Sequence, residues 1–466
     1  VDYKGALAYL DEHTNLEGGR STRFLTPGST TSPTPDLPAL PPMPTAGQHA
    51  GLSLDPMLTL MDTLGRPHEA FRSIHITGTN GKGSTARFTA AALRNLGLSV
   101  GLYTSPNLSK VNERISWDGH DISDEDFARV VKLLADIEPF VDQTPSRFEL
   151  LTAAAFVYFA EQAVDVAVVE VGLLGRFDAT NVINSDVAVI TNIGKDHTTG
   201  EPGWRREVAS EKAGIIKPNS HVILGTAMGD LRPIFDAEES ESVWEAGVDF
   251  WIESNELAVG GRVVDIRTPS TTYEELFIPF HGAHQGDNIA TGLVALEAFF
   301  GRAVDQDVVE TTLGELELPV RFEVVARNPT VILDGAHNPH GAEAVSATLT
   351  SGWARTGSWV LIVGVLQGKG AGEMLDAFDA AGFDAIICTE PDSSRAVPAE
   401  VIAEEAEALG LVVEVIRSPI EALRRATAVA TEEDLILVSG SLYVVAEVRE
   451  ALMALQASEA PDYSTS

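Results

Sequence analysis

Gly78-Thr79-Asn80-Gly81-Lys82-Gly83-Ser84 lies between a short apolar run, RSIHIT (72–77), and an apolar-faced helical stretch, TARFTAAALRNLG, closed by Gly97. Glycines let a backbone turn tightly and present several N–H groups to phosphate oxygens. A helix N-terminus adds partial positive charge. Lys82 can reach terminal phosphates, and Ser84 can help order a metal. The strict pattern G-x-x-x-x-G-K-[ST] fails twice, because Ile76 stands at its first glycine and Gly83 separates Lys82 from Ser84. Strand–loop–helix context still makes phosphate binding the better reading than a plain glycine turn.

A nucleoside triphosphate requires Mg²⁺, which takes a few oxygen ligands and keeps water. Three candidate ligands fall at strand ends: Ser105 after SVGLYT, Glu170 in DVAVVEVG, and His197 after DVAVITNIGKD. Open α/β sheets bind ligands at such carboxyl ends. Taken alone, a histidine is more often a structural hydrogen-bonding residue; agreement among three strand ends favours a site. Lys212 follows on a helical turn, either as a partly exposed lysine or as a modifiable group near the metal. Asp334 opens DGAHNP and can accept ribose hydroxyls, while His337 can donate to phosphate or substrate. That motif also suits an ordinary Asn-Pro turn. Arg321 could fold over a phosphate. The polar segment 281–288 could hydrogen-bond a base or cap a helix.

These residues need elements to hold them. SVGLYT (99–104), DVAVVEVG (165–172), DVAVIT (186–191) and HVILG (221–225) read as buried strands separated by helical segments, hence a largely parallel sheet with crossovers. Residues 2–12 read as an amphipathic helix, and 245–280 as short strands with turns. A helix is expected from about Asn288 to Phe300. A second series, TVILDG, WVLIVGV, AIICTE, VVEVIR and LILVSG, starts near residue 322. The fold expected is α/β: residues 1–316 as a P-loop ATPase-like domain with a mostly parallel sheet, 317–321 as a hinge, and 322–466 as a smaller Rossmann-like α/β domain. The Pro/Thr/Ser-rich stretch 26–47 reads as an inserted loop.

A chain of 466 residues has room for two or three domains, and 44% hydrophobic with 21% charged residues is ordinary for a packed protein. Asp and Glu number 68 against 32 Lys and Arg, a net charge of −36. Such a surface repels nucleic acid and anionic lipid, so any anionic ligand needs a local basic pocket. The single cysteine, Cys388, excludes an internal disulfide and a Cys-rich zinc site. The longest apolar stretch, 151–160, is too short to span a bilayer. A soluble cytoplasmic protein is expected.

Together the motifs resemble the folylpolyglutamate synthase/dihydrofolate synthase family of the ATP-dependent Mur ligase superfamily. The matching stretches are HITGTNGKGS (75–84), GLYTSPNL (101–108), VNERI (111–115), EVGLLGRFDATN (170–181), IGKDHTTG (193–200), EKAGIIKP (211–218), HQGDNIATG (284–292), VRFEVV (320–325), LDGAHNPHGA (333–342) and SGSLYVVAEVR (439–449). They follow family order from about residue 51 to 455. Leu174 stands where the family usually has glycine, and 26–47 looks like an insertion.

The resemblance implies ligation of L-glutamate to a folate or pteroate carboxylate through an acyl phosphate, with ATP as co-substrate and Mg²⁺, two ions, as cofactor. By family match, Gly78, Thr79, Asn80, Gly81, Lys82, Gly83 and Ser84 cradle phosphates. Ser105, Glu170 and His197 are similar to the metal ligands, and Lys212 resembles a lysine the family carbamylates. Asn288, Arg321 and Asp334 resemble ATP contacts, and His337 an active-site residue of the glutamate-ligase domain. Ser146, Arg147, Phe148 and Glu149, with Phe177, Asp178 and Ala179, resemble the pterin-side pocket; Gly51–Asp55 could join them. The implied partners are ATP, L-glutamate and a reduced folate or dihydropteroate, with no nucleic acid or membrane, and the implied state is a monomer.

Two other readings compete. An ATP-binding switch without ligase chemistry rests on the P-loop alone and leaves LDGAHNP and Arg321 without a purpose. A Mur-type ligase acting on a cell-wall precursor leaves the pterin-like residues 146–149 and 177–179 unexplained.

Overall fold

The computed structural model describes residues 2–14, 53–196, 202–226 and 228–459. The first sheet has eight strands: β1 (Arg72–Thr77), β2 (Val100–Tyr103), β3 (Ile115–Trp117), β4 (His120–Asp121), β5 (Val166–Glu170), β6 (Val187–Asn192), β7 (His221–Thr226) and β8 (Ser242–Glu245), in the order β4-β3-β2-β5-β1-β6-β7-β8. Six of these run parallel, and the β3–β4 hairpin adds antiparallel to β2. Val- and Ile-rich strands with no polar alternation must be covered on both faces. Every residue of β5 and β6 is buried. One face packs under helices Lys82–Asn95 and His284–Phe300, around Phe88, Ile74 and Leu293. The other packs under Arg147–Glu161, around Phe156, Leu150 and Val169.

A three-stranded antiparallel sheet follows, β9 (Trp251–Ala258), β10 (Gly261–Arg267) and β11 (Thr272–Ile278). The helix expected from Asn288 begins four residues earlier, at His284. Its polar first turn faces a cleft, where burial does not select apolar residues.

The second sheet comprises β12 (Glu323–Ala326), β13 (Thr330–Leu333), β14 (Trp359–Val363), β15 (Ala385–Cys388), β16 (Val413–Val415) and β17 (Leu435–Ser439), ordered β12-β13-β17-β14-β15-β16. All but β12 are parallel. Separate apolar clusters cover its two faces. The Pro-rich stretch 26–47 and His197 lie outside the described residues. Among the described residues no helix is long and apolar enough to cross a membrane.

In the first sheet β1 is flanked by β5 and β6, while β2, the next strand in sequence, lies beyond β5. The chain therefore departs to both sides of β1. A crevice opens at that reversal, past the carboxyl ends of β1, β5 and β6.

Candidate active site

The P-loop occupies this crevice. Gly78 and Gly81 take φ of 151° and 80°, and Gly81 precedes the first turn of helix Lys82–Asn95. A Cβ on Gly81 would stand 2.2 Å from the Asn288 carboxamide oxygen, and one on Gly78 would overlap the Thr191 hydroxyl. Glycine is therefore required twice, by backbone conformation and by space. Asn192 at the end of β6 braces the loop, its Oδ1 accepting from the Asn80 N–H at 3.0 Å.

One cleft of about 350 Å³ gathers residues from both sheets. Thr79, Asn80, Gly81, Lys82, Gly83, Ser84, Ser105, Glu170 and Asn288 line one wall, and Arg321, Asp334 and His337 the other. Gly78 and Lys212 lie just beneath, beside Lys82 and Asp196.

The Glu170 carboxylate is buried, accepts from the Ser105 N–H at 3.2 Å and lies against Gly83. Burial raises its pKa, against the pull of Lys82. A buried carboxylate beside a serine, at the mouth of a phosphate loop, is an oxygen donor pair suited to a hard divalent cation that keeps several waters. No group of three His, Cys, Asp or Glu forms a metal site among the described residues.

Lys212 is buried, and its Nζ donates to the Gly78 carbonyl at 2.8 Å. Burial, with Lys82 nearby, lowers its pKa to about 7. Asp334 accepts from the backbone N–H groups of Phe322 and Ala336, each at 2.8 Å, and burial raises its pKa to about 6 despite Arg321. Burial, then Lys369, lowers the pKa of His337 to about 4, so its imidazole is neutral near pH 7.

Arg321 is held between two strained residues. Val320 and Phe322 both take positive φ, 54° and 52°. A β-branched residue in that region is an outlier, costing about 1–3 kcal/mol, and such strain clusters where a side chain must be aimed. Here the kink sends Arg321 into the cleft beside Gly335. Leu174 likewise adopts φ 57°, the conformation a glycine takes freely. Its carbonyl accepts from Thr77 Oγ1 at 2.6 Å and its side chain is buried, which holds the turn.

Several contacts between the two sheets' domains had no flag in the sequence. Asn80 and Asn338 exchange two amide hydrogen bonds, 2.9 and 3.2 Å long, and the Asn80 amide also meets His340 Nδ1 at 3.1 Å. Lys369 pairs with Asp196, whose other oxygen is 3.9 Å from His337 Nε2. Lys195 pairs with Glu373 at 2.7 Å. These contacts bind the P-loop side to the second sheet. His340 and Asp196 sit inside motifs already singled out; Lys369 carried no signal.

The pterin-side candidates lie apart from the cleft lining. Ser146 and Glu149 form a capping box at the start of helix Arg147–Glu161, with bonds of 3.3 and 2.6 Å. The Arg147 N–H donates to Thr14, and its side chain approaches Asp11 at 3.5 Å. Phe148 packs on Gly172, which lines the cleft. Asp178 is buried and accepts from Leu173 and Thr180 backbone N–H groups, bracing the loop that carries Phe177 and Ala179.

Comparison with known proteins fits this geometry. The Mur ligase middle domain matches residues 76–296, and the Mur ligase glutamate ligase domain matches 320–442. Fold, P-loop and second α/β domain together define an ATP-dependent ligase of the Mur type. The dihydrofolate synthase/folylpolyglutamate synthase of Mycobacterium tuberculosis is 38% identical over 381 residues, covering 75% of this chain and 77% of that protein. A structure of the M. tuberculosis folylpolyglutamate synthase complexed with ADP and AMPPCP superimposes with TM-score 0.81 at 35% identity, covering 86% of this chain and 95% of that one. A bifunctional folylpolyglutamate synthase/dihydrofolate synthase with Mn, AMPPNP and L-glutamate bound gives TM-score 0.77 at 28% identity, over 87% and 95% of the two chains. The chain belongs to the folylpolyglutamate synthase/dihydrofolate synthase family.

Proposed function

We propose that this chain ligates L-glutamate to the γ-carboxylate of a tetrahydrofolyl-(poly)glutamate, hydrolysing ATP to ADP, with ligation of glutamate to dihydropteroate as a second activity. The observation that carries this is the shared cleft: a P-loop at the reversal point of one sheet faces Arg321, Asp334 and His337 of the other.

A carboxylate is a poor electrophile, because its charge is delocalised and its leaving group would be oxide. Transfer of the γ-phosphoryl group to one carboxylate oxygen gives an acyl phosphate, and the neutral amine of glutamate then displaces phosphate. Two anions must meet first. Backbone N–H groups of 78–84 hold the phosphates, and Lys82 and Arg321 offset the repulsion and the charge that builds during transfer. Asn288 and Asp334 position the nucleotide, and His337, neutral near pH 7, contacts phosphate or substrate. Ser105 and Glu170, with His197, would hold Mg²⁺, two ions in this reading; bound metal supplies charge neutralisation at the phosphates. Lys212, partly neutral at pH 7, is the amine that carbamylation would convert into an anion. Phe148 and the 177–179 loop form the pterin side. Closure of the two domains excludes water from the labile anhydride. The same reading makes the protein a cytoplasmic monomer whose partners are small molecules.

The test is isotopic. With ¹⁸O in the acceptor carboxylate, one label should appear in released phosphate, and ADP release should require both glutamate and the pteroyl acceptor. Phosphate free of label would remove the acyl phosphate.

A further inference from the structure

β1 leads directly into the P-loop, and its side chains alternate between two faces. Ile74 and Ile76 join the apolar cluster under helix Lys82–Asn95. His75 and Thr77 lie on the opposite face, and both are fully buried. A parallel strand flanked on both sides is ordinarily apolar on both faces, so these two polar groups need partners. Both find them in one segment, residues 172–180. Thr77 Oγ1 donates to the Leu174 carbonyl at 2.6 Å, and His75 Nε2 lies 2.8 Å from Thr180 Oγ1.

Asp178 sets the direction of the second bond. Its oxygens accept from the backbone N–H groups of Leu173 and Thr180, at 2.8 and 3.0 Å, and Oδ1 also accepts the Thr180 hydroxyl proton at 2.5 Å. Thr180 Oγ1 has then given its only proton, so the His75 Nε2–H donates to it. Nδ1 is left as a lone pair, buried and with no hydrogen-bond partner among the described residues. An unpartnered buried acceptor is a cost that leucine or valine at this place would not carry. Burial, then Lys217, lowers the pKa of His75 to about 3, which keeps the ring neutral. The tether to Thr180 is the one hydrogen bond that sets this histidine apart from an apolar core residue.

The tethered segment borders the acceptor side of the cleft. It starts at Gly172, which lines the cleft and packs on Phe148, and it carries Phe177, Asp178 and Ala179. We propose that His75 and Thr77 are positioning residues that hold the pterin loop, residues 172–180, in register with the strand that carries the phosphate loop. The inference rests on the function proposed above and deepens it. An acceptor seated by its pterin ring brings a carboxylate, at the far end of a stiff aromatic frame, to the γ-phosphate. A small tilt at the ring displaces that carboxylate by more, so the two loops need a common support.

The experiment compares His75→Leu, His75→Gln and Thr77→Val with the unaltered enzyme, using tetrahydrofolate monoglutamate and dihydropteroate as acceptors. His75→Leu removes the donor at similar volume, and His75→Gln returns an N–H near the place of Nε2. The two acceptors share the pterin end, so His75→Leu should raise KM for both alike, by about 10-fold. Thr77→Val should move both in the same direction. Affinity for AMPPNP without acceptor should change less than about threefold, because Asn192 braces the P-loop independently. His75→Gln should bring both KM values back to within about threefold of the parent. An unchanged acceptor KM in His75→Leu would overturn the proposal. So would an AMPPNP affinity that falls as far as that of the acceptors, which would put the damage in the P-loop. A loss that His75→Gln does not recover would make the ring a filler of space and overturn it too. If His75→Leu does not fold, Thr77→Val carries the same comparison, and failure of both to fold makes the pair structural. An unaltered enzyme inactive with both acceptors would instead sink the function itself.

Discussion

Lys82 and Lys212 donate to one acceptor, the carbonyl oxygen of Gly78, at 3.1 and 2.8 Å. Burial first, and then the like charge of Lys82 beside it, lowers the pKa of Lys212 to about 7 from its ordinary 10.5. Its folded form therefore binds fewer protons than its unfolded form between those values. By linkage this group adds stability as pH rises from about 7 towards 10.5, and loses that contribution below 7.

The same neutral fraction makes Lys212 reactive towards CO₂. With ¹³C-bicarbonate, a carbamate resonance should grow between pH 6 and 8 and be absent in Lys212→Met. Lys82→Ala should shift that growth to higher pH, because the like charge is gone. An identical carbonyl spectrum for Lys212→Met would refute carbamylation at this residue.

Lys82→Ala should also lower kcat by about 10³-fold, the scale of removing one preorganised cation from a developing charge. Among the described residues the Lys82 ammonium hydrogen-bonds the Gly78 and Thr79 carbonyls, so its loss should cost the fold about 1 kcal/mol. Paired turnover and thermal-melt measurements separate the two effects. A variant that melts far below the parent would make Lys82 a packing residue.

Lys369→Met should loosen the junction between the two sheets. It removes one partner of Asp196, a largely buried carboxylate that Asn338 Nδ2 still approaches at 3.5 Å and His337 Nε2 at 3.9 Å, so the cost is a part of the about 3–5 kcal/mol that breaking a buried ion pair carries. That cost falls on the closed arrangement, since Asp196 regains water when the domains part. Small-angle scattering should report a larger radius of gyration, and kcat/KM should fall about tenfold or more. An unchanged scattering profile would show that the Asn80 contacts and the Lys195–Glu373 pair keep the cleft closed without Lys369.

These junctions mark the limit of what the sequence conveys. Buried strands announce themselves as unbroken Val/Ile runs, so both sheets and the position of the P-loop follow from local pattern. Asn80 and Asn338 are 258 residues apart, and nothing local to either says they touch. Lys369 lies in a glycine-rich turn, VLQGKG, that reads as solvated loop. The positive φ of Val320 and Phe322 contradicts their residue types, because tertiary packing rather than propensity sets the backbone there. Ser146-x-x-Glu149 is the opposite case. The spacing is a helix-start signature, and the structure gives it that role, although the family match directed attention to a ligand pocket.

Salt should stabilise this protein. A net charge of −36 repels itself more strongly in the compact state than in the expanded chain. Raising ionic strength from about 0.1 M to 1 M shortens the screening length from about 10 Å to about 3 Å, below the spacing of most surface carboxylates. The opposing term is the loss of surface ion pairs such as Arg129–Glu161 and Arg355–Asp384, each contributing about 0.2–1 kcal/mol. With 68 acids and 32 bases most carboxylates have no such partner, so relief of repulsion wins. The melting temperature in KCl should climb by several degrees across that range. Nucleotide affinity should move the other way, because the P-loop and Arg321 attract phosphate through the same screened field. A melting temperature that falls with salt would mean that ion pairs, rather than net repulsion, dominate the surface.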